Sequence, residues 1–158
     1  MAQTSAFRTQ GRTAHDGSRL NVARLTWATV FASAVAVGAT AALYTLASVA
    51  GFVDQRVVLP SVLGMGPLSL ASVSATAALA TLAAGVLQGV LAWTTRRPVR
   101  NFRVLATLLA VLSLSMPATI PGPSVVMRLT MAGMHLIVWA ASLGVLARLA
   151  TRPMRDAA

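Results

Sequence analysis

The stretch MRLTMAGMHLIVW, residues 127–139, holds the side chains in this chain best equipped for chemistry. His135 offers an imidazole. Met127, Met131 and Met134 offer thioethers at steps of four and three residues, which places all of them along one side of a helix. Soft thioethers with one imidazole suit a cuprous ion, and Met116, from the preceding segment, completes a candidate ligand set of Met116, Met127, Met131, Met134 and His135. A haem would take His135 as one axial ligand, but the other histidine, His15, lies in a polar N-terminal stretch. A proton or solute path is a second chemistry, because ionisable groups within a membrane commonly mark one. Against it, the three acids are Asp16, Asp54 and Asp156, none of them in an apolar segment, and there is no Glu.

The third use of these residues is structural, and it is the main expectation. A neutral His135 can bond to a hydroxyl or a released carbonyl on another helix and pin the two together. Ser113, Ser115 and Tyr44 fall at a similar depth, as do Thr45, Ser74 and Thr76. Pro117 has no N–H, so it releases the carbonyl of Ser113. The expected cluster is therefore His135, Ser113, Ser115 and Tyr44. A methionine stripe is most often adaptable packing, so neither a metal nor a cofactor is expected. Arg128 stands seven residues before His135, and Asp54 is the one acid expected on the same side of the membrane. An Asp54–Arg128 ion pair would tie the first outer loop to the head of the last span.

The elements that must position these groups follow from where charges are missing. Uncharged runs cover Leu25–Val53 (29 residues), Val57–Thr95 (39), Val104–Met127 (24) and Leu129–Ala147 (19). About 20 apolar residues cross a hydrocarbon core as a helix. The longest run is punctuated by Pro60, Gly64, Gly66 and Pro67 and so holds one span preceded by a loop. The spans are read as residues 25–51, 69–93, 102–120 and 126–149, all helical because unpaired strands are untenable in lipid. The fold class is all-α: an integral membrane four-helix bundle. The first span is read as a retained anchor, its apolar run being about twice a signal-peptide core. The domain reading is a basic, disordered tail at 1–23, a membrane domain at 24–150 and a short tail at 151–158. The outer loop 52–68 is apolar enough to lie along the interface, and the short PGPS connection makes the last two spans a tight antiparallel hairpin.

The net charge of +10 could signal nucleic acid, but the arginines are sorted by topology instead. Eleven of the 13 fall in the N-terminal tail, in the segment TTRRPVRNFR and at the C-terminal end; only Arg56 and Arg128 fall opposite. The positive-inside rule then puts both termini in the cytoplasm. Trp27 and Trp93 sit where that face would meet the interface. The partners implied are the bilayer, with anionic lipid at its cytoplasmic face, and other membrane subunits or a second copy; no nucleic-acid partner is expected.

Helices in lipid associate through small residues. Gly85 and Gly89 provide such a face, as do Ala34, Gly38 and Ala42 in the first span and Ala140 and Gly144 in the last. The absence of Cys excludes disulfides, thiolate metal sites and cysteine nucleophiles. No phosphate loop, nucleophile elbow, HExxH or carboxylate pair is present. The serine–histidine combination lacks the Gly-flanked serine of intramembrane proteases, so no enzyme is expected. The chain reads as a non-catalytic protein of a bacterial inner membrane, an accessory or scaffold subunit; the alternative is a small transporter or metal-handling protein built on the His/Met cluster.

Three segments, RRPVRNFR, LSLSMP in the third span and GMHLIVWAASLGVLARL in the fourth, make the chain similar to the short actinobacterial-type four-helix membrane proteins of domain-of-unknown-function family 6069. The resemblance covers residues 24–150. It implies the same topology and carries no activity with it.

Overall fold

The computed structural model describes residues 22–149. The expected tails lie outside them, with His15, Arg8, Arg12, Arg19, Arg152 and Arg155, except for Val22 and Ala23, which open the first helix instead of ending the tail. Four long helices run in chain order: α1 (Val22–Val49), α2 (Leu70–Thr94), α3 (Pro98–Thr119) and α4 (Val125–Ala141), the last continuing through a π turn (Ser142–Leu146) into a final α turn (Ala147–Leu149). Each is long and apolar enough to cross a membrane, the fourth over Val125–Leu146. At about 1.5 Å per residue, 22 residues reach about 33 Å, enough for a hydrocarbon core of about 30 Å.

The interior is not the greasiest part of the molecule. On α1 the buried face is Ala28, Thr29, Ala32, Ala36, Thr40 and Ala47, whereas Trp27, Val30, Phe31 and Leu46 face outward. Apolar residues all around a helix, with the small ones inside, are what a lipid solvent selects, since acyl chains cover Leu and Val as well as protein does. The buried hydroxyls are satisfied locally: Thr29, Thr40 and Thr81 donate to the carbonyls of Leu25, Ala36 and Ala77 at 2.8, 2.7 and 2.7 Å.

α1 and α2 form the tightest pair, and Gly85 and Gly89 make it possible. A Cβ at Gly85 would overlap Oγ1 and Cγ2 of Thr29, and one at Gly89 would come within 3.3 Å of Leu25. These glycines thus serve internal packing. The other small-residue faces do not: Ala34, Gly38 and Ala42 are exposed, as are Ala140 and Gly144. In so Ala-rich a helix, small residues occur on every side, so their spacing does not select the packed face.

Two connections differ from expectation. Residues 52–68 are not a plain loop but carry an antiparallel hairpin, β1 (Val58–Ser61) and β2 (Gly64–Pro67), paired from Val58↔Pro67 to Ser61↔Gly64. Neither Val62 nor Leu63, the two turn residues, has a positive φ; Gly64, which follows them, takes it instead (107°), a conformation open to glycine, and Ser61 Oγ braces the turn, accepting from Leu63 N and donating to the Gly64 carbonyl. Leu59 anchors the hairpin against Met127 and Met131. The basic segment at 96–103 is shorter as a loop than expected. Pro98 occupies the first turn of α3, where its missing N–H costs nothing, so Arg100 and Arg103 belong to the helix.

Ser69 and Ser72 form a reciprocal capping box at the start of α2 (3.0 and 3.1 Å), and Ser124 caps α4 through Met127 N (3.2 Å). α3 packs on α4 and α2, while α2 and α4 scarcely touch. That leaves a gap, and the gap is the site.

Candidate functional site: an apolar groove between helices α2, α3 and α4

A groove of about 650 Å³ runs between α2, α3 and α4, within the range of small-molecule sites. Its α3 wall extends from Phe102 to Ile120, about 27 Å at helical rise. The hairpin roofs one end through Leu59, Pro60 and Pro67; Phe102 and Leu87 close the other. The rim at mid-height is Ala80 and Ala83 on α2 and Leu109 on α3, all exposed, so the groove opens sideways at the depth of the acyl chains. Small side chains make the space: Ala80, Ala83 and Ala84 on one wall, Ala106 and Ala110 on the other.

His135 borders this groove, half-buried. Its Nδ1 lies 2.8 Å from the carbonyl oxygen of Met131, on its own helix. The expected bond to a hydroxyl or released carbonyl of another helix is not made. A carbonyl four residues earlier is always within reach of a helical imidazole, so the local partner wins. Ser113 also lines the groove, but its hydroxyl donates to the Ala110 carbonyl at 2.8 Å. Ser115 is exposed and donates to Leu112 O at 2.6 Å. Tyr44 lies elsewhere: its hydroxyl donates to the carbonyl of Leu68 at 2.9 Å and accepts from Gln55 Nε2 at 3.4 Å, tying α1 to the end of the hairpin. Of the four residues expected to cluster, His135 and Ser113 share the groove; no hydrogen bond links any two of the four.

The candidate metal ligands divide similarly. Met116, Met131, Met134 and His135 all line the groove; Met127 is fully buried under the hairpin with Leu59. Among the described residues no group of three or more His, Cys, Asp or Glu is placed to hold a metal ion.

Arg128 has a different role from the one expected. Its Nε donates to the carbonyl of Pro123 (3.2 Å), and its two terminal nitrogens donate to those of Ala118 and Ile120 (3.1 Å each). The Ala118 and Ile120 carbonyls are among those left open at the end of α3, where the helix dipole also favours a cation; Pro123 belongs to the connection. Arg128 is a latch across the α3–α4 turn. Asp54 is engaged locally instead, its Oδ1 accepting from Arg56 N at 2.9 Å; the Asp54–Arg128 ion pair is not formed.

Sequence reasoning missed several residues of the site. Trp139 lines the groove and spans α3 and α4 by donating from Nε1 to Thr107 Oγ1 at 3.3 Å; indole and hydroxyl on sequence-adjacent spans were the available signal. The groove-forming alanines gave none, because a small residue reads the same beside a cavity as beside a neighbour. Outside the groove lining, Gln88 was missed too. It is fully buried on α2, with neither amide atom bonded to the protein, and a lone amide in an apolar span was the signal.

Comparisons with curated proteins and with solved structures return no match. The family model described as "Family of unknown function (DUF6069)" matches residues 20–153, which takes in all four helices, the hairpin and the groove. This chain, a protein with four membrane-spanning helices, belongs to that family.

Proposed function

We propose that this is a non-catalytic protein of the bacterial inner membrane whose working part is the groove, which takes up an elongated apolar molecule from the bilayer. Both termini face the cytoplasm in this reading, with the arginines at that end resting on anionic lipid. The protein acts as an accessory subunit, presenting or withholding the bound molecule within a membrane complex. The observation that carries the proposal is the sideways opening between Ala80, Ala83 and Leu109. At that depth only apolar chains are on offer, and the walls behind it are apolar. The absence of a buried acid among the described spans weighs against a cation path.

The test is extraction. Protein purified in mild detergent and washed is analysed by native mass spectrometry for a retained apolar molecule. Ala110→Phe, which fills the groove from α3, should lower the retained fraction severalfold while the protein stays monodisperse. An equal yield from the variant would remove the groove from the account. Met116, Met131, Met134 and His135 along one groove also favour a second reading, soft-metal handling. It requires close to one cuprous ion per chain, lost in His135→Ala.

A further inference from the structure

At the level of His135 the groove has a hydrogen-bonding sense, and that sense names the head of its occupant. The carbonyl of Met131 has only lone pairs to offer, so His135 Nδ1 carries the proton of the 2.8 Å bond between them. In the neutral ring Nε2 is then a bare acceptor. Nδ1 is the ring nitrogen nearer the backbone, so tying it to α4 turns the Nε2 edge away from that helix. Nε2 has no hydrogen-bond partner among the described residues.

Two hydroxyls level with it, on α1 and α3, share this character. Contact between Leu43 and Gly133 sets Thr40 of α1 level with the turn that carries His135. The Trp139–Thr107 bond does the same for Ser113 of α3. Thr40 and Ser113 both line the groove and have both given their protons away, to Ala36 and Ala110 at 2.7 and 2.8 Å. Each keeps lone pairs only. Trp139 has spent its N–H on Thr107. Toward the closed end the walls are mostly apolar, Ala84, Leu87, Phe102, Ala106 and Val138, with Ser142 the one hydroxyl among them.

We propose, resting on the groove reading above, that the occupant is a long-chain alcohol: its hydroxyl donates to His135 Nε2, and its chain runs from there toward Phe102. A head that only accepts, such as an ether or ester oxygen, would meet the lone pairs of His135, Ser113 and Thr40 with no proton to share.

The experiment uses the full chain in detergent with Trp27→Phe and Trp93→Phe, so that Trp139, on the groove wall, is the sole indole, excited selectively over Tyr44. The probes are a dibrominated C18 alcohol and its methyl ether, which quench indole on contact. A variant keeping Trp27 alone corrects for partition into the micelle. The alcohol should quench Trp139 at a concentration about fivefold below the ether, the worth of one net hydrogen bond. His135→Phe should bring the two probes together while leaving the ether unchanged. Equal quenching by both in the His135 protein overturns the alcohol proposal and leaves the groove standing. Quenching by neither removes the groove reading itself. The alcohol-against-ether comparison needs no groove variant, so a misfolded His135→Phe would not blunt it.

Discussion

Replacing Arg128 with leucine removes three hydrogen bonds from a single turn, and their combined worth can be worked from the structure. The bonds, at 3.2, 3.1 and 3.1 Å, hold carbonyls on both sides of the α3–α4 connection. Hydrogen bonds between membrane helices average about 0.6 kcal/mol, so three give about 2 kcal/mol. Arg128→Lys keeps a cation by the α3 terminus, worth about 0.3–1 kcal/mol, but an ammonium lacks the planar fork that reaches three carbonyls at once. The expected order of cost is therefore Arg128→Leu above Arg128→Lys, with Asp54→Asn near zero because Asp54 bonds only its own turn. The assay is reversible unfolding in mixed micelles, read as free energy against the mole fraction of denaturing detergent. Arginine is removed from the arginine-poor side, so the charge asymmetry grows and topology is not at risk. The reasoning fails if Asp54→Asn costs as much as Arg128→Leu, or if lysine substitutes without loss. The first result would restore the ion pair; the second would reduce the latch to a point charge.

Gly85→Ala should destabilise by about 1–3 kcal/mol through overlap with Thr29, and adding Thr29→Gly should recover much of that in a double-mutant cycle. Gln88→Leu should be neutral or stabilising by about 1 kcal/mol in thermal denaturation, because a buried amide with no protein partner gives way to an apolar group that needs none. The chain has no cysteine, so single cysteines report topology cleanly: one at position 98 should label only from the cytoplasmic side and one at position 63 only from the outside. Tyr44→Phe should lower stability by about 0.6 kcal/mol and raise protease sensitivity in the hairpin, which loses its tie to α1.

Number, length and type of the helices were legible in the order of residues, because the cost of a charge in hydrocarbon leaves its mark as a gap between arginines. The four gaps became α1 to α4 with end points shifted by a few residues, most at Pro98, whose ring starts α3 before the last two arginines of its segment. Met134 and His135, singled out as candidate ligands and, for His135, as part of a polar cluster, both line the groove, yet the partners of His135 could not be read. An imidazole, a hydroxyl or a guanidinium takes whichever acceptor lies closest, and for His135, Ser113 and Arg128 that was a backbone carbonyl of the same helix or turn. Backbone acceptors occur at every residue and leave no trace in side-chain identity. The packed faces were equally hidden, because lipid removes the hydrophobic contrast that marks the inside of a water-soluble helix; Gly85 and Gly38 are indistinguishable until one meets Thr29 and the other meets nothing. The groove belongs wholly to the tertiary structure. It exists because α2 and α4 stand apart, and a separation between helices is a property of no residue in either.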